Sequence, residues 1–213
     1  VAIPACGYTV LQTALPEAMV LTSDTDKHFS SIPVPFTPSA IGVGVGWGTH
    51  PDTAAALADL FAQYPDTPFV IDADALNLLA QKPTLCQALP QGAILTPHPK
   101  ELERLIGKWT DDYDKLAKAK AFAEKHRVVL VLKDAYTVIT DGDAYWINTT
   151  GCPALATAGS GDVLTGMLTA LRTRGYEALQ AAILGVYQHG QKGEQVANRI
   201  GEEALIARDL VTF

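Results

Sequence analysis

The sequence predicts an α/β domain around a mostly parallel sheet, and three observations carry that expectation. Short β-rich runs alternate with segments of helical periodicity, each join marked by glycine, proline or aspartate. Four groups of chemically active residues fall where such strands would end or helices begin, the edge at which open α/β sheets bind ligands. A hairpin pattern before the last helices adds antiparallel strands and makes the sheet mixed. The 213 residues are 48% hydrophobic and 18% charged. That suits one domain, residues 1–213, burying roughly 70% of its unfolded surface.

Taken in order, Ile41 to Gly48 reads as a strand ending in a turn, followed by a helix over 52–63. Pro68 to Ala73 is a buried-strand run ending in acids, and the ALNLLAQ that follows has helical spacing. Gly92 to Pro97 is the next strand, stopped by its proline, and KELERLIG then forms a helix closed by Gly107. Residues 111–126 give the clearest helix. Asp111, Asp112 and Asp114 stand at its start and Lys125 and His126 at its end, an order that complements the helix dipole. Tyr113, Leu116, Ala119 and Ala123 are expected to share its buried face. Val128 to Lys133 has the β-branched and leucine content of a strand covered on both faces. TVIT and AYWIN flank the turn Asp141-Gly142-Asp143 as a hairpin, and helices are expected over 161–173, 176–197 and 202–210.

The formal net charge is -7, with a pI near 5.1. That balance argues against a nucleic-acid partner. No apolar run approaches the roughly 18 residues a membrane helix needs. Three cysteines, Cys6, Cys86 and Cys152, match no zinc spacing, and their odd number argues against a disulfide framework. A reducing cytoplasm is the expected compartment, and no residue is assigned as a metal ligand. The chain opens at Val1 with neither methionine nor signal peptide, and reads as lacking its natural N-terminus.

The strongest local signal is Ala158-Gly159-Ser160-Gly161-Asp162 before a helix with an apolar stripe at Val163, Leu164, Met167, Leu168 and Leu171. Uncovered backbone N–H groups at the positive end of a helix make an anion cradle. Asp162 either caps that helix or takes a proton from a substrate hydroxyl beside the bound anion. The alternating glycines Gly42, Gly44, Gly46 and Gly48 lack dinucleotide-fingerprint spacing; they mark a turn or a close backbone approach to a ligand. His98, between Pro97 and Pro99, is a structural or a ligand-facing imidazole, with Glu101 orienting a metal-bound water or capping a helix. Asp72 and Asp74 serve Mg²⁺ through water or satisfy the next helix start. Lys133 faces a phosphate or reaches out to solvent.

Together, and in this order, GVGVG, IDADALNLL, ILTPHPKELERL, VLVLKDAYTVI and ATAGSGDVLTG resemble the ADP/ATP-dependent NAD(P)H-hydrate dehydratases over about residues 15–200. These form the C-terminal half of bifunctional NAD(P)HX repair enzymes. The resemblance implies a ribokinase-like three-layer α/β/α fold with a mostly parallel central sheet, here without the family's N-terminal strand and helix. It implies that ADP or ATP phosphorylates the hydroxyl of hydrated NADH or NADPH, and that loss of phosphate restores NAD(P)H, with Mg²⁺ assisting. Lys133, Asp134, Ala135, Tyr136, Thr137, Gly159, Ser160 and Gly161 would then contact the adenine nucleotide. Gly44, Gly46, His98 and Asp162 would contact the hydrated dinucleotide, with Asp162 as the base. A homo-oligomer, often a tetramer, is also implied.

Two departures stand out. Val43 occupies the place of a usual proline, and Asp134 that of a frequent glycine. The alternatives are a small-molecule kinase of the same superfamily, of the thiazole or hydroxymethylpyrimidine type, and an inactive nucleotide-binding fragment.

Overall fold

The computed structural model describes residues 1–212. The chain opens with β1 (Ala2–Ile3), a single 3-10 turn and α1 (Tyr8–Ala14). β2 (Leu21–Thr22) pairs parallel with β1 as a small sheet of its own. Then come β3 (Ile41–Val43), α2 (Pro51–Gln63), β4 (Phe69–Ile71), α3 (Ala73–Gln81), α4 (Pro83–Gln87), β5 (Ile94–Leu95), α5 (Pro99–Ile106) and α6 (Asp112–His126). The rest is β6 (Val129–Leu132), β7 (Val138–Thr140), β8 (Tyr145–Ile147), α7 (Ser160–Thr173), α8 (Ala178–Ile200) and α9 (Asp209–Thr212).

The main sheet runs β3-β4-β5-β6-β7-β8, parallel from β3 to β6 and antiparallel through the final hairpin. Each parallel crossover steps to the next strand in one direction. Right-handed connections therefore lay α2, α3, α5 and α6 on the same face and leave the other face for α7 and α8. Side chains alternate accordingly. Leu130 and Leu132 of β6 pack with Leu57, Leu76, Leu79, Leu102 and Ala119, whereas Val129 and Val131 pack with Leu164, Leu168, Ala181 and Val186. This is the three-layer, mostly parallel arrangement that the sequence predicts.

Three expectations need correction or addition. Tyr113 is 87% exposed, while Ala119 and Ala123 are fully buried. At about 100° per residue Tyr113 lies roughly 90° around α6 from the buried stripe, in a first turn held instead by the Asp111 side chain accepting the Asp114 N–H at 2.8 Å. The helix expected over 202–210 is a 3-10 turn at Glu202–Ala204 and the short α9. Gly201, at φ +90°, ends α8, and the Asp209 carboxylate accepts the Ile206 N–H at 3.0 Å to start a new turn. The intervening extended backbone lets both Leu205 and Leu210 pack on Val196 and Ala197. The β1–α1–β2 unit and α4 have no counterpart in the sequence reading, because elements this short carry too few residues to show a period.

Leu168 is fully buried between α7 and the sheet. Leu168→Ala is expected to cost about 2–5 kcal/mol in urea unfolding. Tyr113→Ala, at the exposed first turn of α6, should stay within about 0.5 kcal/mol of the parent.

Candidate active site

Four strand ends and one helix start converge on the C-terminal edge of the sheet. β3 runs into Gly44, β4 into Asp72, β5 into Thr96, Pro97 and His98, and β6 into Lys133, while α7 begins at Ser160. This edge is where a parallel sheet leaves a crevice between its crossovers.

Asp72 is the centre of the arrangement. It is only 2% exposed, yet its carboxylate does not cap α3. Instead, Oδ1 accepts from Lys133 Nζ at 2.8 Å and Oδ2 accepts from the Thr165 hydroxyl at 2.9 Å. A buried carboxylate is tolerable only when paired and hydrogen-bonded, and both conditions are met here. Of the two readings of Asp72 in the sequence, direct capping of the next helix is thereby excluded. Asp74 serves as a brace: its Oδ2 accepts the Gly48 N–H at 2.8 Å, and its Oδ1 accepts from Asn77 at 3.3 Å. The glycine turn is thus tied to the first turn of α3. Gly44 allows this proximity. Its φ is +111°, and a Cβ there would stand 2.0 Å from the Asp72 carbonyl oxygen.

Gly161 lies directly under the ion pair. A Cβ at this position would come within 3.3 Å of Lys133 Nζ and 3.7 Å of Asp72 Oδ2. One residue on, Asp162 is solvent-accessible in the first turn of α7. Partial burial of its carboxyl and the neighbouring Asp72 charge raise its proton affinity above that of an ordinary aspartate, against an opposing pull from Lys133. Ser160 is buried, and Nε2 of His189 sits 3.2 Å from its hydroxyl and 3.0 Å from its carbonyl. Burial lowers the His189 pKa, outweighing the Ser160 bond, and Lys133 lowers it further. A neutral imidazole therefore anchors the start of α7. Gly159 is its N-cap.

His98 is the N-cap of α5. Its Nδ1 accepts the Lys100 N–H at 3.1 Å, and the Glu101 carboxylate accepts the His98 N–H at 2.9 Å. Nε2 faces Glu101 Oε1 at 3.3 Å. Nδ1 and the backbone N–H of His98 are thus engaged in the cap, with Glu101 as the capping partner, while the imidazole remains 45% exposed. Lys133, Asp134, Ala135 and Tyr136 border a cleft of about 270 Å³ completed by Pro97, Pro99, Leu102, Lys115 and Val138. The Asp134 carboxylate accepts the Ala135 N–H at 2.8 Å and lies 4.0 Å from Lys115 Nζ, so its charge is partly balanced. Thr137 follows at the base of this turn, and Gly46 lies on the exposed glycine turn.

The family model for NAD(P)H-hydrate dehydratase matches residues 1–212. The chain belongs to that family. A bifunctional NAD(P)H-hydrate repair enzyme of Moorella thermoacetica is 41% identical over 177 residues, 81% of this chain and 33% of that protein. The ADP-dependent (S)-NAD(P)H-hydrate dehydratase of Neisseria meningitidis is 35% identical over 202 residues, 92% of this chain and 64% of its own length. The chain therefore spans between about a third and two thirds of these relatives. A structure of the Bacillus subtilis ADP/ATP-dependent NAD(P)H-hydrate dehydratase, co-crystallised with ATP and Mg²⁺, superposes with a TM-score of 0.79 at 30% identity, covering 97% of this chain and 73% of that one.

Sequence reasoning missed Thr165 and His189. The available signal was a polar residue inside an otherwise apolar stripe: Thr165 lies between Leu164 and Leu168, and His189 among the small buried residues Gly185, Gly190 and Gly193. Such residues need a buried partner. Thr165→Val removes the only hydroxyl on Asp72 Oδ2 among the described residues. It is expected to cost about 1–3 kcal/mol in chemical denaturation. Thr165→Ser should recover most of that loss.

Proposed function

We propose that the chain carries the ADP- or ATP-dependent dehydration of hydrated NADH or NADPH back to NAD(P)H. The observation that carries this reading is the Asp162 carboxyl, with its raised proton affinity, at the start of α7 and beside the Lys133–Asp72 pair. The family match adds its weight against the small-molecule kinase alternative.

In this reading Asp162 takes the proton of the ring hydroxyl as that oxygen bonds to the terminal phosphorus of the nucleotide. The bond from this phosphorus to its bridging oxygen breaks, and AMP leaves from ADP, or ADP from ATP. The ring C–O bond then breaks, phosphate departs with the electron pair, and loss of a proton from the adjacent carbon restores the ring double bond. Lys133 gives one of its three N–H donors to Asp72, which leaves two for phosphate oxygens. The amides of Gly159, Ser160 and Gly161 stabilise charge on the transferring group. The cleft beside Lys133 to Tyr136, with Thr137 at its base, takes the adenine end; Gly44, Gly46 and the His98 edge take the dinucleotide.

Mg²⁺ fits the donor set in the form common at phosphoryl-transfer sites, held by water and phosphate with one or two carboxylates. Asp162, the solvent-accessible carboxylate at this edge, would hold the ion through water, and the ion would supply neutralisation of phosphate charge. The proposal extends to one catalytic unit over residues 1–213 and to a homo-oligomer in the cytoplasm. The compartment is supported by three cysteines that are all free; assembly is supported by the family resemblance alone. No helix among the described residues is long and apolar enough to cross a membrane.

The test is recovery of reduced-nicotinamide absorbance from hydrated NADH on addition of ADP or ATP. Nucleotide-dependent recovery is expected, with Asp162→Asn reducing it at least about a hundredfold while nucleotide still binds. Intact nucleotide binding without any recovery would overturn the reading. Because the Asp162 pKa is raised, the acid limb of kcat/KM should lie above the usual aspartate value of about 3.9. The same shift means that ionised Asp162 burdens the folded state above that pH. Asp162→Asn should therefore raise Tm at neutral pH, the difference vanishing below the ordinary carboxylate range.

A further inference from the structure

Away from the Asp72 network, His28, His50 and Asp52 bring their donor atoms within 4.8 Å of one another. Asp52 Oδ2 lies 3.2 Å from His28 Nε2 and 3.7 Å from His50 Nδ1. The two imidazoles stack with centroids 3.9 Å apart. Tetrahedral zinc, with bonds of about 2.0–2.2 Å, places its donors about 3.3–3.6 Å from one another. We propose that His28, His50 and Asp52 form a binding site for a divalent transition metal of the Zn²⁺ class, with a fourth position open to solvent.

The support behind the three ligands is already built. Thr53, fully buried, is bonded in both directions to the backbone of Phe29: its hydroxyl accepts the Phe29 N–H at 3.3 Å and faces the Phe29 carbonyl at 3.4 Å. Phe29, itself fully buried, packs on Trp47 with centroids 4.8 Å apart. The backbone carrying His28 is thereby held against the helix start that carries His50 and Asp52, and the change left for the metal to drive is a side-chain rotation: the exposed His50 ring must swing out of its stack with His28 so that both imidazoles aim a lone pair at one ion. Two imidazoles and one carboxylate favour Zn²⁺, Ni²⁺ or Cu²⁺ over Mg²⁺ or Ca²⁺, which prefer all-oxygen sites. His50 Nδ1 now accepts the Asp52 N–H at 3.2 Å. Metal binding at that atom releases the N–H to water, an acceptable exchange at an exposed helix start. The site would clamp the segment around His28 to the end of the glycine turn that includes Gly44 and Gly46. No sequence spacing announces it, because His28 is brought to Asp52 from 24 residues away.

Isothermal titration of the metal-free chain with Zn²⁺, and with Mg²⁺ as control, tests the site independently of any catalytic activity. One Zn²⁺ per chain with a micromolar Kd is expected, with a rise in Tm on saturation and no comparable response to Mg²⁺. His28→Ala and Asp52→Asn should each weaken Zn²⁺ binding at least about tenfold. His50→Asn should do the same while preserving a favourable N-cap, so that loss of binding is not loss of the helix start. Absence of stoichiometric Zn²⁺ binding, or binding unchanged in these three variants, would overturn the proposal.

Discussion

Asp72 joins three parts of the chain through one carboxylate. Its backbone leads from β4 into α3, Lys133 at the end of β6 holds one oxygen, and Thr165 on α7 holds the other. β4 and β6 belong to the sheet, whereas α7 lies on the face opposite α3, so the bond pattern fixes the layers against one another at the C-terminal edge of the sheet. Because Asp72 is 2% exposed, its charge has no solvent to fall back on, and each anchor matters more than a surface ion pair would.

Several local oddities follow from that constraint. Ala73 adopts φ +49°, a left-handed conformation that costs a non-glycine residue about 1–2 kcal/mol. α3 begins immediately after a carboxylate that has been turned away from capping it. Gly44 and Gly161 are small for the same reason: one passes under the Asp72 backbone and the other under its side chain and Lys133. Asp162 then stands where two opposing influences meet, the Asp72 charge raising its proton affinity and Lys133 lowering it. The phosphoryl transfer proposed for this edge would depend mainly on positioning and charge, and the Asp72 network offers both.

Much of this was legible in the sequence. The β-branched run of Val128 to Lys133, the acid ending of Pro68 to Ala73 and the glycine-bounded start of α7 each place a chemical group at a strand end or helix start, and the structure brings all three to one edge of the sheet. What could not be read was which groups meet. Asp72 finds Lys133 and Thr165 at separations of 61 and 93 residues, and periodicity carries no information about pairing at that range. Asp72 therefore looked like a helix cap, and Thr165 like an incidental interruption of a stripe. His98 reads from sequence as either structural or ligand-facing, and the two are not exclusive: Nδ1 accepts the Lys100 N–H in the cap while the ring stays partly exposed. Tyr113 falls outside the buried face of α6 because the expected stripe is wider than the one that Ala119 and Ala123 bury, and Tyr113 lies roughly 90° around from it.

A double-mutant cycle between Asp72 and Lys133 tests the central claim most directly. Urea unfolding of Asp72→Asn, Lys133→Met and the double variant isolates their coupling from the effect of either change alone. The account predicts a coupling of about 2 kcal/mol, with Lys133→Met the more damaging single change because it strands a buried carboxylate. Additivity within about 0.5 kcal/mol would contradict it, and would mean that the pair is incidental to how this edge of the sheet is held.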